Sequence, residues 1–586
     1  MAVGFIMPCK SCLSRSAPVK NLVYSCATSQ SFSFPISRIY VRSLPVDIER
    51  WNLTGWTFDN ILEHYKDLET YVDSDWEQPP FWKDQEPVQK QPWRGHLGPV
   101  HTVPAGPSID PVASLFVQSC INGGIGISKT QGFNDPEASA RIGAGYYEFN
   151  IRNGVRDSIA AAFLVGQGDS ASSIPKNLKI RTGTTVTHVV SQDAYGGGKP
   201  RAMGVHFVGR KGISEFVKLK DPEGLSEVIL AAGAIITPQI LTNSGIGKDG
   251  SVVDLPGVGK NLHDHPVVAM ALRLAPNIIE DSSSIYTVGD EMEDYLTSVT
   301  ELMTMVDTGE NVTRTARRRA HEQIATLGTP GFSAGAFLRS PWATDEAPDI
   351  QLTVFPRSIE PHVTRKERRE DSTKSMRASA MVMTVALLRP DARYEVRPST
   401  ASSTTVVGSS ATKQKSTIQE TETDMLPLDG NPLTQELHFH LPSIDLPEGR
   451  EQYLSDLDVE RLAWGLEQVR IIGKTAPLAD NTGEEIYPGP EADLKAFVRE
   501  NHLPNSHWVG STKMGIDDDP MAVLDEGLRV RGIDNLRVVD SGAIPKIPNG
   551  NTHSTVCAVA SHAADMIITR RHAQARRRQR RQQRDT

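Results

Sequence analysis

The chain has 586 residues, a formal net charge of −9 and a mean hydropathy of −0.33. This length is enough for two or three domains with a large buried core, and 38% hydrophobic with 23% charged residues excludes wholesale disorder. The longest apolar runs, at 228–236 and 381–388, fall well short of the ~20 residues that cross a bilayer. We therefore predict no transmembrane helix.

Charge and cysteine content exclude further classes of protein. Residues 570–586 contain eight Arg and one Asp, so the rest of the chain is acidic, which argues against nucleic acid as a partner. We interpret this end as a basic, disordered tail without an assigned function. Only five Cys occur, three of them within the first 26 residues, so no disulfide framework is expected. The lone CxxC at Cys9 and Cys12 is interpreted as incidental.

The amino-terminal segment has an unusual composition. Residues 1–46 contain nine Ser, five Lys or Arg and no acidic residue, which is typical of a transit peptide. An incorrectly assigned start of the coding sequence is the alternative. The compartment is left open between chloroplast, mitochondrion and cytoplasm.

Local patterns predict a first helix and a β hairpin. Residues 56–69 place five apolar side chains at helical spacing, and Thr57 is a suitable N-cap. Residues 177–190 and 204–208 are typical of two strands joined by a glycine-rich turn.

Further along, residues 228–234 form a short apolar strand that ends in small residues and leads to a helix starting near Thr237. This order is half of a βαβ unit. Residues 459–469 indicate another amphipathic helix. Residues 399–424, rich in Ser and Thr, are predicted to be a mobile insertion.

The stretch VILAAGAIITPQILTNSGIG, residues 228–247, could bring backbone close to a flat or phosphorylated ligand, because its turn lacks large side chains. An ordinary strand, turn and helix is the alternative. Gly245, Gly247 and Gly250 match GxGxxG, but they follow a helix and not a strand. The structural context of a dinucleotide fingerprint is therefore missing, and we reject this match.

Two histidine pairs raise the possibility of a metal site. His263 and His265 flank Asp264, and His438 and His440 alternate as on one face of a strand. Neither pair has a third ligand nearby in the sequence. Histidines bonded to the backbone are the preferred interpretation, and we predict no metal site.

The carboxyl-terminal part contains two histidines suited to catalysis. His507 and His553 lie in loops rich in Gly and Ser, and an imidazole pKa near 6.5 suits a general base. A structural role is the alternative for each. Asp540 ends an apolar strand beside Gly542, where it could meet a ligand at the crevice of an α/β sheet. A solvated turn aspartate is equally compatible with this segment.

Six segments in a fixed order resemble the glucose-methanol-choline (GMC) family of flavin-dependent oxidoreductases, in particular its choline dehydrogenase-like members. The segments are IYVRSLPVDIERW with the following GWTFDNILEHYKDLE, NIRNGVR, AAGAIITPQILTNSGIG, PGVGKNLHDHP, SHWVGSTKMG and LRVVDSGAIPKIPNGNTH. The resemblance implies an α/β fold, with a three-layer FAD-binding domain assembled from separated stretches and an α+β substrate domain built on an antiparallel sheet.

The resemblance also implies a division of the chain. Residues 39–266 would contribute FAD-domain parts with interleaved substrate-domain segments, 267–505 the substrate domain with its mobile insert, and 506–569 the last FAD-domain part with the active site. Residues 1–38 stay unassigned.

The resemblance implies the following site residues: His507 as the active-site base, His553 as its partner, Asp540, Ser541 and Gly542 against the flavin, Val186 at the adenine and Gly233 in the FAD-domain turn. The implied reaction is oxidation of a small-molecule alcohol. The base takes the hydroxyl proton, FAD takes the hydride, and oxygen or a quinone reoxidises the cofactor.

One departure from the family pattern concerns the amino terminus. The family begins with a strand, GxGxxG and a helix, followed by a GGSS-like stretch, but residues 1–38 contain a single glycine, Gly4. We expect the first βαβ unit to be missing through truncation or an incorrect gene model. Each lost charged hydrogen bond to the FAD phosphates would cost about 1.5 to 3 kcal/mol.

Two other functions are compatible with parts of the sequence. Weak FAD binding would suit a non-catalytic remnant that serves as a binding or structural protein. Fatty-acid photodecarboxylation is a second alternative, suggested by ALLRPDARYEV, residues 386–396. Relatives with that activity carry Cys where this chain has Leu388, and they lack a base like His507.

Overall fold

The computed structural model describes most of the chain. The described residues are 22–25, 39–72, 90–105, 111–130, 132–152, 155–165, 178–193, 198–209, 212–221, 226–275, 333–359, 379–397, 442–450 and 452–585.

The α-helices within these residues are α1 (Pro45–Glu49), α2 (Phe58–Leu68), α3 (Pro111–Asn122), α4 (Ala138–Arg141), α5 (Gly233–Asn243), α6 (Asp456–Gly473), α7 (Leu478–Asn481), α8 (Leu494–Asn501) and α9 (His553–Asp585). A π-helical turn spans Ala161–Val165, and a 3₁₀ turn spans Ser541–Ala543.

The strands are β1 (Leu22–Ser25), β2 (Glu69–Tyr71), β3 (Val100–Pro104), β4 (Gly143–Tyr146), β5 (Glu148–Phe149), β6 (Ile151–Arg152), β7 (Val155–Arg156), β8 (Thr184–Gln192), β9 (Arg201–Gly209), β10 (Ser214–Lys218), β11 (Glu227–Leu230), β12 (Ile246–Gly247), β13 (Val253–Asp254), β14 (Pro266–Leu274), β15 (Ala334–Leu338), β16 (Ile350–Ile359), β17 (Ser379–Leu387), β18 (Glu395–Arg397), β19 (Ser443–Asp445), β20 (Thr482–Tyr487), β21 (Leu503–Pro504) and β22 (Leu536–Val538).

A parallel sheet with the strand order β1-β11-β22 forms one layer. Val228 pairs with Val23 on one side and with Leu536 on the other. The central strand β11 is fully buried, as expected for a short apolar strand covered on both faces. Residues 1–38 stay unassigned in the predicted division of the chain, but they do contribute the strand β1 to this sheet. No GxGxxG lies directly after β1, since residues 26–38 contain no glycine.

A second, antiparallel sheet has the order β10-β9-β8. The pairing of β8 with β9 confirms the predicted hairpin, with Val189 opposite Val205. Both of these side chains are buried in the same hydrophobic cluster as β11 and β22, so this sheet packs on the same core as the parallel sheet.

The largest sheet is antiparallel and runs β20-β14-β17-β16-β15-β4, with β21 also paired to β14. Its inner residues form a second hydrophobic cluster together with α3 and α6. The predicted α/β class with a separate antiparallel sheet is confirmed by this topology. The division of the chain into domains at residues 266 and 505 stays a prediction.

Two predicted helices are confirmed, and a third segment differs from its prediction. Helix α2 begins after Thr57, whose hydroxyl accepts from the amide of Asn60, and α6 covers the predicted 459–469. Helix α5 begins at Gly233, earlier than expected, because the positive φ of 86° at this glycine starts the helix directly after the strand.

The carboxyl-terminal tail differs from its prediction more than helix α5 does. Residues 570–585 continue α9 without a break, so the prediction of a disordered tail is wrong. Lys and Arg near a helix carboxyl end interact favourably with the helix dipole, which suits a helical ending. The predicted insert 399–424 and the pair His438 and His440 lie outside the described residues. Among the residues that the structure describes, no helix combines the length and apolar character needed to span a bilayer.

A glycine on β15 makes close packing of the large sheet possible. A Cβ at Gly335 would lie 2.2 Å from the hydroxyl oxygen of Tyr147 and 2.3 Å from the carbonyl oxygen of Leu352. We expect Gly335→Ala to lower the free energy of unfolding by about 1 to 3 kcal/mol, as overpacking does. Urea denaturation followed by circular dichroism measures this change. Gly209→Ala is the control, because its Cβ would meet no atom closer than 3.9 Å; equal effects of both variants would contradict the packing argument.

Candidate active site

The loop that carries His507 is tied to the start of the large sheet by a buried carboxylate. Asp264 lies just before β14 and is 1% exposed. Its Oδ1 accepts from the backbone amides of His265 and His507, and its Oδ2 accepts from that of Ser506, each at 2.7 Å. Because these segments are more than 240 residues apart, one side chain fixes the position of His507.

The backbone before His507 is held in an unusual conformation. Ser506 has a φ of 62°, in the left-handed region that costs a non-glycine residue about 1 to 2 kcal/mol. The hydrogen bonds from Asp264 stabilise this turn. Strain of this kind is concentrated at functional sites, where surrounding structure holds it in place.

His265 also contacts the loop that carries His507. Its ring lies edge-on to that of His507, and the two Nδ1 atoms are 3.0 Å apart. The Nε2 atom of His265 lies 3.1 Å from the carbonyl oxygen of Pro548. Burial lowers the pKa of His265 well below its usual value, so this ring is neutral. The preferred sequence interpretation, a loop histidine bonded to backbone, agrees with its contacts to Pro548 and Leu388, and the contact with His507 is additional.

These contacts define the protonation of His507. A carbonyl oxygen only accepts, so the contact of Nε2 with Pro548 favours the tautomer of neutral His265 that carries its proton on Nε2 and accepts at Nδ1. His507 therefore donates from Nδ1, and its Nε2 carries a lone pair. Nδ2 of Asn505 lies 3.4 Å from Nδ1 of His507, so this assignment requires the Asn505 amide to be turned with its oxygen towards the ring. Burial also lowers the pKa of His507 to about 4.

The side chain that faces the lone pair of His507 is an amide. Nδ2 of Asn551 lies 3.1 Å from Nε2 of His507 and donates to it. Both side chains stay partly exposed, whereas Asp264 and His265 behind them are buried. An imidazole lone pair and an amide donor therefore meet at an accessible edge of the loop, where a substrate hydroxyl could contact both.

His553 is placed differently from the sequence expectation. It is the first residue of α9, and its Nε2 lies 3.9 Å from Sγ of Cys557, one helical turn further on. The amide of Asn551, two residues earlier, lies beside His507, and the role of His553 as a partner of the base stays a prediction. Asn551 was missed because the motif GNTH offers both residues, and histidine is the better known catalytic side chain.

The structure brings together Gly233 and Asp540 at the carboxyl ends of two adjacent parallel strands. Oδ2 of Asp540 accepts from the amide of Gly233 at 2.9 Å and from the hydroxyl of Thr237 at 2.6 Å, and Oδ1 accepts from the amide of Gly542 at 2.8 Å. Burial raises the pKa of Asp540. This crevice is where ligands bind in open α/β sheets.

Ser541 and Gly542 connect the crevice to the His507 loop. The carbonyl of Ser541 accepts from the amide of Gly510, and that of Gly542 accepts from the amide of Thr512. Val186 lies apart from these residues, on β8 opposite Phe207, where it packs partly buried against the core around the parallel sheet.

The residues at the crevice suit the flavin end of FAD. A Cβ at Gly542 would lie 2.6 Å from Oγ1 of Thr512, so the close packing of these two residues at the crevice requires glycine. Oγ1 of Thr512 is itself buried without a hydrogen-bond partner among the described residues. A buried hydroxyl without a partner is costly and suits a polar heteroatom of a bound group. The described residues do not include a GxGxxG turn for the phosphates.

Comparison with known proteins identifies the family. The family described as GMC oxidoreductase matches residues 37–267 with its amino-terminal part and 443–560 with its carboxyl-terminal part. The chain belongs to this family. It is an oxidoreductase, and its cofactor is FAD.

Two curated relatives illustrate the range of the family. Oxygen-dependent choline dehydrogenase from Vibrio vulnificus is 28% identical over 90% of this chain and 78% of that protein. The chloroplastic fatty acid photodecarboxylase from Chlamydomonas reinhardtii is 24% identical over 90% of this chain and 76% of that protein.

Solved structures share the fold. Pyridoxine 4-oxidase from Mesorbium loti superposes with a TM-score of 0.60 at 22% identity, covering 90% of this chain and 81% of that chain. A formate oxidase gives a TM-score of 0.66 at 19% identity, covering 92% and 83%. Both are similar to this chain in architecture.

The burial of Asp264, whose hydrogen bonds hold the His507 loop, leads to a prediction about stability and pH. Burial raises the pKa of Asp264 to about 7, above the ordinary value near 3.9 of an unfolded chain. The folded state therefore binds a proton more tightly, so this stabilisation is complete below about pH 4 and is lost as pH rises towards 7. We expect the stability advantage of the wild type over Asp264→Asn to shrink between these pH values. Urea unfolding at pH 4.5 to 8 measures it.

The exposed Asp518→Asn variant is the control for this series. A stability difference between wild type and Asp264→Asn that grows with pH would contradict the assignment.

Proposed function

We propose that the protein oxidises the CH–OH group of a small alcohol, with His507 as the base and Asn551 as the donor to the substrate oxygen. The observation that carries this proposal is the 3.1 Å contact between Nε2 of His507 and the amide nitrogen of Asn551, which favours a lone pair on Nε2. A base and a donor that can reach the same atom suit the activation of a hydroxyl group.

His507 is ready to accept a proton at neutral pH. With its pKa lowered to about 4, the ring is neutral, and only Nε2 can take the hydroxyl proton. The proton on Nδ1 stays directed at His265, so the ring keeps its orientation when it becomes charged. Asp264 keeps the backbone of His507 in place during this change.

Asn551 then donates a hydrogen bond to the substrate oxygen. Once Nε2 holds the substrate proton, it no longer accepts a hydrogen bond, and the Nδ2 hydrogen of Asn551 becomes available to the substrate oxygen. This oxygen gains negative charge as its proton leaves. A fixed amide dipole stabilises such charge without reorganisation, an effect of about 3 to 4 kcal/mol for one oxyanion-type donor.

FAD supplies the acceptor for the hydride that leaves the carbinol carbon, so that the alcohol becomes a carbonyl compound. We propose that Gly233, Asp540, Ser541 and Gly542 hold the flavin end of this cofactor. Val186, on the outer layer around the parallel sheet, is proposed for the adenine end.

The competing functions have less support. Membership of an oxidoreductase family does not favour a non-catalytic remnant. Photodecarboxylation is disfavoured because the buried residue before the Arg-Pro pair is Leu388, which has no redox-active or acidic group. The base with its lone pair at His507 also has no part in that alternative. The name of the choline dehydrogenase relative makes alcohols the first compounds to test.

Replacement of the base tests the reaction directly. We expect His507→Ala to slow flavin reduction by ~10²-fold or more, because the hydroxyl proton loses its acceptor. Anaerobic stopped-flow absorbance of FAD-loaded protein measures the rate, with whichever of choline, benzyl alcohol or pyridoxine reduces the wild type fastest. The exposed His572→Ala is the matched control. An unchanged rate in His507→Ala would overturn the assignment.

The two candidate partners of the base can be separated. Asn551→Ala should slow flavin reduction by ~10²-fold, because the amide of Asn551 contacts Nε2 of His507, whereas we expect His553→Ala to keep most of the wild-type rate. The same stopped-flow assay compares them. The opposite ranking would return the partner role to His553.

A further inference from the structure

The amide of Asn551 is connected to the large sheet by further hydrogen bonds. Its Oδ1 lies 3.2 Å from Nε2 of Gln351, near the start of β16. The same Nε2 lies 3.0 Å from the hydroxyl of Tyr147, which joins β4 to β5. That hydroxyl in turn lies 2.8 Å from the carbonyl oxygen of Leu352. Gln351 and Tyr147 are buried, with 3% and 0% of their surface exposed.

The direction of these bonds is determined by their chemistry. The carbonyl of Leu352 only accepts, so the hydroxyl of Tyr147 donates to it, and Oγ1 of Thr353, 3.0 Å from the same hydroxyl, then donates to the tyrosine oxygen. Burial raises the pKa of Tyr147 to about 12, so the hydroxyl keeps its proton. Gln351 must then present its NH₂ group to the tyrosine oxygen. The second hydrogen of this group is directed at Oδ1 of Asn551, which leaves the NH₂ group of Asn551 facing His507.

The contacts of His265, at the other end of this hydrogen-bond network, predict the same orientation of the Asn551 amide. The carbonyl of Pro548 fixes the proton of His265, and this makes Nε2 of His507 an acceptor. An acceptor at this position requires a donor from Asn551. The backbone carbonyls at Pro548 and Leu352 therefore favour the same orientation at the contact of His507 with Asn551, when followed from either end of the network.

We propose that Gln351 is a positioning residue for the reaction, which keeps the NH₂ group of Asn551 turned towards the reacting oxygen. This inference rests on the proposed function of His507 and Asn551. Without the donor from Gln351, the Asn551 amide could rotate by half a turn and present its oxygen instead. An oxygen there would repel the charge that develops on the substrate and would place the proton of His507 on the wrong nitrogen.

A second observation argues against a purely structural role. Oε1 of Gln351 is buried and has no hydrogen-bond partner among the described residues. Such an atom loses its hydration without compensation, and an apolar side chain of similar volume would avoid this cost. The NH₂ half of the amide is the part of Gln351 that makes contacts, and both contacts serve to orient Asn551.

The test uses Gln351→Glu, because a carboxylate accepts hydrogen bonds but cannot donate one to Oδ1 of Asn551. The Asn551 amide should turn its NH₂ group to the new carboxylate and its oxygen to His507. His507 would then favour protons on both nitrogens, so its pKa should rise by about one unit or more. Titration of imidazole ¹⁵N signals in histidine-labelled protein measures this, with the His507 signals assigned from their loss in His507→Gln.

Two controls isolate the proposed path. Gln239→Glu is matched, since Gln239 is buried, donates from Nε2 to Oδ1 of Asn243 and also has an unpartnered Oε1. Gln351→Glu in an Asn551→Ala background measures the direct effect of the new charge. We expect the Gln239 control to leave the His507 titration unchanged and the double variant to lose most of the shift.

An unchanged His507 titration in Gln351→Glu, or an equal shift in the double variant, would overturn the proposal. If Gln351→Glu fails to fold by circular dichroism, Gln351→Met takes its place. It should move the Nε2 signal of His507 as both amide orientations become populated, and an unmoved signal would again overturn the proposal. Because this readout needs neither FAD nor turnover, its failure is distinguishable from failure of the His507→Ala test.

Discussion

The carboxylate of Asp264 is the interaction on which the rest of the site depends. It is buried at the junction of the large antiparallel sheet and the loop after β21, and it accepts three backbone amides. Removing a charge from water costs several kcal/mol unless hydrogen bonds compensate, and here two of those bonds come from the segment that carries His507, the proposed base. The cost of burying Asp264 is thus linked to the position of His507.

From this junction, the protonation of the site follows without a second charged group. Backbone carbonyls at Pro548 and Leu352 end the hydrogen-bond network, and neutral side chains between them transmit the direction of each bond. The burial that lowers the pKa of His507 keeps the ring neutral, and its tautomer leaves the lone pair on the accessible side. In the proposed reaction, the fold therefore prepares both the proton acceptor and the hydrogen-bond donor before any ligand arrives.

Much of the fold could be predicted from the sequence. The apolar run at β11, the N-cap Thr57 and the alternation in β8 and β9 are local signals, and the structure forms these elements. The strand β1 could not be predicted, because it has four residues and no glycine-rich turn follows it. Its described partner is a strand some 200 residues away. The basic tail was misjudged because composition reports charge, whereas continuation of α9 depends on the helix that precedes it.

The site could be predicted only in part. His507, Asp540 and Gly233 follow from short motifs, and the structure places the last two within hydrogen-bond distance. The choice between Asn551 and His553 could not be made from sequence, because it depends on which residue begins α9. Asp264, His265 and Gln351 act through contacts with residues about 200 or more positions away, and no local pattern contains that information.

The most direct test of this account is neutron diffraction from deuterium-exchanged crystals of the FAD-loaded protein at neutral pH. The account predicts deuterium on Nδ1 of His507 and none on Nε2, with both deuterium atoms of the Asn551 amide on the atom nearest that ring. Deuterium on Nε2 of His507, or the oxygen of Asn551 turned towards it, would contradict the central claim that the fold presets a proton acceptor beside a hydrogen-bond donor.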